Sequence, residues 1–156
     1  MWYRSFTTFI KLYWVGTTRL RCDCMHEYMV SLRIVGEELD TAEVSKTLSV
    51  PPTRVIEIGD PLKTAVATKA VWIFEAFPSG GKKWTSLEDA LVTVLSVFSG
   101  SHERIRELQG KFDVCLFCGH FSSSFDGGPV FSPTLLRMLG EFGVEMFLDT
   151  YFSDSE

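Results

Sequence analysis

Cys115-Leu-Phe-Cys118-Gly-His120 brings two thiols and an imidazole into one short stretch, the residue types that hold zinc or exchange electrons. On a strand, however, residues three apart point to opposite faces, so the two sulfurs would diverge. The stretch is therefore read as strand, with both thiols acting as small buried hydrophobes. Cys22 and Cys24 do not complete a four-thiol site, because Cys-x-Cys is not the usual knuckle spacing. All four cysteines are read as reduced, since a chain of 156 residues with 46% hydrophobic content needs no disulfide staples.

Ser122-Ser-Ser124, with His120 and Asp126 close by, supplies the types of an acyl-transfer triad. Closeness in sequence is not triad geometry, and no nucleophile-elbow motif is present. Gly80-Gly81-Lys82-Lys83 has the glycine-lysine step of a phosphate loop but neither its full spacing nor its hydroxyl residue after the lysine. His26 and His102 stand without a carboxylate or thiol at ligand spacing and are expected at the surface, whereas burial accounts for Trp72 and Trp84. No catalytic residue, metal ligand or cofactor site is assigned. What remains is the Ser- and Gly-rich run from Gly119 to Ser132, long for a loop, in which His120, Phe121, Ser122, Phe125 and Asp126 are the candidate interaction residues.

The elements that must position this loop follow from periodicity. Tyr28, Val30, Leu32 and Ile34 alternate with Met29, Ser31 and Arg33 as in a half-buried strand. Asp40 is placed to cap a short helix bearing Val44 and Leu48, with Glu43 able to reach back, and Pro51-Pro52 prevents continuation. Thr53 to Ile58 reads as a second strand, ended by Gly59-Asp60-Pro61. Lys69 to Phe77 reads as a third, apolar on both faces and so expected to be central. Ser86 opens a helix whose stripe is Leu87, Leu91, Val94, Leu95 and Phe98; Gly100 breaks it and Ser101 restarts it toward Gly110. Phe112 to Phe117 is the fourth strand. Ser132-Pro133 starts the last helix, with Leu135, Leu136, Leu139 and Phe142 on its buried face and Gly143 as its stop, and Val144 to Phe152 is the last strand.

This order predicts an α+β fold: a ferredoxin-like βαββαβ core extended by a C-terminal α-β unit, with a mainly antiparallel sheet and helices on one face. Residues 25–152 form the expected single domain and 153–156 a polar tail. Residues 1–24 differ in kind. They are aromatic and basic, too interrupted for a signal peptide and too short for a membrane span. They are read as a non-core extension, with a leader from an upstream start codon, a docked extra element and an interfacial anchor as the three accounts.

The formal net charge is −5, and removing the unopposed Arg4, Lys11, Arg19 and Arg21 leaves about −9 on the remainder. An acidic body disfavours nucleic acid and favours a basic protein partner, although acidity also serves solubility alone.

The chain resembles a bacterial family of unknown function, domain of unknown function 4279. The likeness runs through Val30-Ser-Leu-Arg-Ile-Val-Gly36, Leu39-Asp40, Pro52-Thr53, Gly59-Asp60, the strand around Trp72 and the helix from Leu87. It resumes in Val114-Cys-Leu-Phe-Cys118, Phe131-Ser-Pro133, Leu135-Leu136 and Leu148-Asp149-Thr-Tyr151. The resemblance covers roughly Glu27 to Tyr151, and it implies a small bacterial cytoplasmic protein without catalytic residues to carry over. The expected function is a non-catalytic protein-binding module, with an immunity protein against a basic toxin or effector as one form of it. The rival is an enzyme or small-ligand domain whose pocket lies beside the Gly119–Ser132 loop and uses His120 and Asp126.

Overall fold

The computed structural model describes residues 26–81, 83–123 and 127–152. It is a mixed α/β fold with a five-stranded, mostly antiparallel open sheet and four helices. In chain order the elements are β1 (His26–Gly36), α1 (Thr41–Leu48), β2 (Arg54–Ile56), β3 (Ala70–Ala76), α2 (Leu87–Val97), α3 (His102–Gln109), β4 (Asp113–Ser122), α4 (Pro133–Phe142) and β5 (Glu145–Phe152). The strand order is β2-β3-β1-β4-β5, antiparallel throughout except for β4 and β5. Relative to a four-stranded ferredoxin-like sheet, a fifth strand lies outside β4 and two helices rather than one connect β3 to β4.

The helix ends follow their capping residues. Asp40 Oδ1 accepts from the backbone amides of Ala42 and Glu43, at 2.9 and 3.0 Å. The Glu43 carboxylate lies beside Lys46 at 3.8 Å instead of reaching back to Asp40. Ser86 Oγ accepts from the Asp89 amide, and Ser132 Oγ from that of Leu135. Pro133 begins α4, and Gly143 ends it at φ 68°, a left-handed position that glycine occupies without steric cost.

One face of the sheet carries the core. Tyr28, Val30, Leu32 and Ile34 of β1, Trp72 of β3 and Leu116 and Cys118 of β4 are buried against Val44, Leu48, Leu91, Val94, Phe98, Ile105 and Leu135 from the four helices. Trp72 is fully buried, and its Nε1 donates to Ser45 Oγ at 3.0 Å. Trp84 Nε1 donates to the Ala76 carbonyl, and its backbone bonds Tyr28 in both directions.

Three expectations need correction. β3 is interior but not covered on both sides: Val71 and Ile73, on the face away from the helices, are only half-buried. β1 is the central strand of the five. The fourth strand does not stop at Phe117 but runs to Ser122, because β1 begins at His26 and pairing continues from Val35↔Asp113 to His26↔Ser122. The expected loop from Gly119 therefore loses its first four residues to the sheet. Residues 1–24, the tail 153–156, and Phe125 and Asp126 of the expected interaction loop lie outside the described residues.

Candidate functional site

Strand alternation divides the surviving loop candidates between the two faces of β4. His120 and Ser122 share the helix-side face with Leu116 and Cys118 and are buried, whereas Phe121 shares the opposite face with Cys115 and Phe117. The structure does not bring His120, Phe121 and Ser122 together as one exposed patch. Cys115 and Cys118 likewise diverge, as their spacing requires. Burial raises both thiol pKa values, that of Cys118 to about 12, so neither thiol is a ready thiolate.

His120 has a partner that local spacing could not supply. Its Nε2 lies 2.9 Å from His26 Nδ1, and Thr150 Oγ1 is 3.4 Å from its Nδ1. The two imidazoles stack, and Tyr28 stacks on His120 at a centroid distance of 4.8 Å. His26 is thus half-buried in a pair rather than a lone surface histidine. His102 is also half-buried, edge-on to Phe142. Burial, and then the neighbouring His26, hold the His120 pKa below its ordinary value. With both ring nitrogens engaged, His120 offers no unoccupied position to a substrate proton.

The described clefts lie at the other end of the sheet. One, of about 230 Å³, is lined by residues including Glu38, Asp40, Glu43, Arg104 and Lys111; another meets Val35, Gly36 and Asp113. In the β1–β4 register Val35↔Asp113 is the far end from His26↔Ser122. Among the described residues no group of three His, Cys, Asp or Glu side chains is placed to hold a metal ion.

The sheet face turned away from the helices is more distinctive. Phe117 of β4 stacks on Phe147 of β5, and Phe121 stacks on Tyr151, with centroids 5.7 and 5.1 Å apart. The parallel β4–β5 register creates both contacts by setting Phe117 beside Phe147 and Phe121 beside Tyr151. Two cations cover this ladder: the Arg33 guanidinium lies 3.6 Å from the Phe117 centroid, and Lys83 Nζ 4.0 Å from that of Phe121.

Lys83 also pairs with Glu27 at 2.8 Å. Arg33 Nε donates to the buried Ser31 Oγ at 3.1 Å, and among the described residues no carboxylate is within ion-pair distance of its guanidinium. Half-burial lowers the Arg33 pKa, opposed by Cys115, Glu75 and Tyr151, and raises that of Glu75, opposed by Arg33. Arg33 stays charged, with a planar donor fork set among aromatic rings.

No single residue of this face announced it in the sequence. Phe117, Phe121, Phe147 and Tyr151 each read as an ordinary apolar strand residue, and only the pairing of β4 with β5 assembles them. Exposure sets the β5 pair apart from core residues: Phe147 is 56% and Tyr151 43% exposed, whereas Phe117 and Phe121 are half-buried. Met146 and Leu148, on the other side of β5, are each 38% exposed. Among the described residues no helix is long and apolar enough to cross a membrane.

No curated protein matches the chain, and no solved structure matches it. A protein-family model described as a domain of unknown function (DUF4279) matches residues 26–153, a span that takes in all five strands, all four helices and both faces of the site. The chain belongs to that family.

Proposed function

We propose that this protein is a non-catalytic protein-binding module whose contact surface is the open face of the sheet, built on a ferredoxin-like βαββαβ core to which α4 and β5 are added. The observation that carries the reading is the ladder of Phe117, Phe147, Phe121 and Tyr151, left outside the helix layer and, among the described residues, overlain by Arg33 and Lys83. Contiguous aromatics that are exposed or half-buried and flanked by polar groups are the usual composition of an interface centre.

The partner is read as a basic protein overall, because the chain carries a net charge of −5 and complementary potentials orient encounter. Glu75, Glu145 and Asp149 on the open face would meet its basic groups, and the Arg33 fork would take one carboxylate from it. An immunity-type role, in which this surface occludes a basic toxin or effector, is one form of this reading.

The test is affinity capture from the native host with paired baits, the wild-type chain and Phe121→Ser/Phe147→Ser. A single basic partner retained by the first, weakened by salt and lost from the second, is the expected result. Equal retention by both baits would sink the open-face reading.

A further inference from the structure

β5 is an edge strand of eight residues, and among the described residues nothing pairs with its outer side. It carries no proline and no lysine or arginine, the residues that usually block edge pairing, and seven of its eight residues are exposed. On its helix side Met146 and Leu148 are each 38% exposed, and nearby α4 leaves Leu136 55% exposed. On its open side stand Phe147 and Tyr151. At about 150–250 Å² for a whole aromatic side chain, these groups expose on the order of 500 Å² of apolar surface per copy. Two copies would cover at most about 1,000 Å² of this, since the rings of Phe147 and Tyr151 keep their upper sides on the open face, and the paired backbones add to it; about 1,000 Å² is the lower bound for a specific interface.

We infer that β5 pairs antiparallel with β5 of a second copy of this chain, making a closed dimer with a ten-stranded sheet. The charges on the strand fix the register. A two-fold axis perpendicular to the sheet keeps the open faces of both copies on one side, so odd residues oppose odd and even oppose even. An axis through Phe147 sets Glu145 against Asp149, and one through Asp149 sets that carboxylate against its own copy; like charges directly opposite are destabilising. An axis through Leu148 avoids both clashes and uses every residue of the strand but Phe152. It sets Leu148 against Leu148, Met146 against Thr150, Phe147 against Asp149 and Glu145 against Tyr151. The two aromatic ladders then lie side by side on one continuous face, and the pairing stands whether or not that face takes a partner.

The experiment is light scattering after gel filtration on the full chain, joined to site-directed crosslinking. The wild type is expected near 35 kDa, about twice 17.6 kDa, and Leu148→Lys near the single-chain mass with an unchanged circular dichroism spectrum. Leu148→Cys is the milder variant and reads the register directly. Opposed α-carbons about 4.5–5.5 Å apart suit a disulfide, so it should crosslink on oxidation. Phe147→Cys, diagonal to its own copy at about 7–8 Å, should stay at the wild-type level.

A full chain that remains a monomer at about 100 µM overturns the inference, because specific interfaces bind more tightly than that. So does a dimer indifferent to Leu148→Lys, or one that crosslinks through residue 147 in preference to residue 148. A full chain that is monomeric while the chain from Met25 pairs would mean that residues 1–24 cover the edge, and would overturn it equally. Equal partner capture by the wild-type and Phe121→Ser/Phe147→Ser baits with the dimer intact would count against the open-face function alone.

Discussion

The two edges of the sheet are built on opposite principles. The β2 edge is three residues long and shows solvent the charged Arg54. It is ended by a turn in which Asp60 Oδ2 accepts from the Glu57 amide and Gly59 and Asp60 exchange backbone bonds with Ala67. Thr53 finishes it by bonding Ile73 through both its amide and its hydroxyl. The β5 edge is eight residues long and exposes large apolar side chains on both faces. Shortness, charge and a turn are the devices that stop a strand from recruiting another chain. One edge has all three, whereas the other is long and carries only the carboxylates of Glu145 and Asp149 against pairing, so the molecule is asymmetric in what it offers to partners as well as in topology.

The sharpest way to break the comparison is to cut a large side chain behind each edge. Trp72, opposite Val55 of β2, is fully buried and meets the Phe98 ring edge-on. Trp72→Ala should cost about 3–5 kcal/mol, through the lost aromatic, the cavity and the lost hydrogen bond to Ser45 Oγ, which keeps its own bond to the Thr41 carbonyl. Phe147→Ala on β5 should change the stability of a single chain by less than about 1 kcal/mol, because over half of the ring is already in water. Urea midpoints measured at dilutions where the chain is a monomer would decide. Equal losses at the two sites would show that β5 is core and not interface.

A smaller effect should appear where the β5 side is held down. Ser132 Oγ donates to Glu88 Oε1 at 2.7 Å while accepting from Leu135 N, and Ser132 N donates to Glu88 Oε2 at 3.0 Å. One residue thus caps α4 and ties it to α2, just ahead of the strand that follows α4. Ser132→Ala should cost about 1–2 kcal/mol, the usual loss for an N-cap. Hydrogen exchange should quicken first in α4 and β5, with β2 and β3 unchanged. Uniform quickening across the sheet would mean that the two edges are not independent.

What the sequence made legible was local chemistry. The alternation from Tyr28 to Ile34, the Asp40 and Ser132 caps, Pro133 at the start of α4 and Gly143 at its end each depend on residues within a few positions, and each occurs in the structure. The end of β4 was not legible. Gly119 and Ser122 carry turn chemistry, and pairing with β1 from His26 and with β5 keeps them extended. His26 and His120 are 94 residues apart, so no spacing rule pairs them. Nor could Met146, Phe147 and Leu148 be known as exposed. Apolar composition reports that a strand has something to bury, and not whether its own chain or another buries it.

The His26–His120 pair yields the smallest effect and joins β5 to the rest of the sheet, since Thr150 of β5 approaches the same imidazole. Burial first, and His26 second, lower the His120 pKa, so in the folded chain the ring stays neutral below the pH at which it takes a proton when unfolded. Its stabilising contribution is therefore whole above about pH 6.5 and is lost as pH falls through the lowered folded value. A doubly protonated pair would also set two N–H donors against each other. Between about pH 7.5 and about pH 5.5 the wild type should lose stability with a slope no steeper than one proton, and His120→Gln should flatten it. If the slope survives the substitution, the proton goes elsewhere. If it vanishes and β5 amides no longer exchange first on acidification, the exposed edge is held at its C-terminal end by this pair.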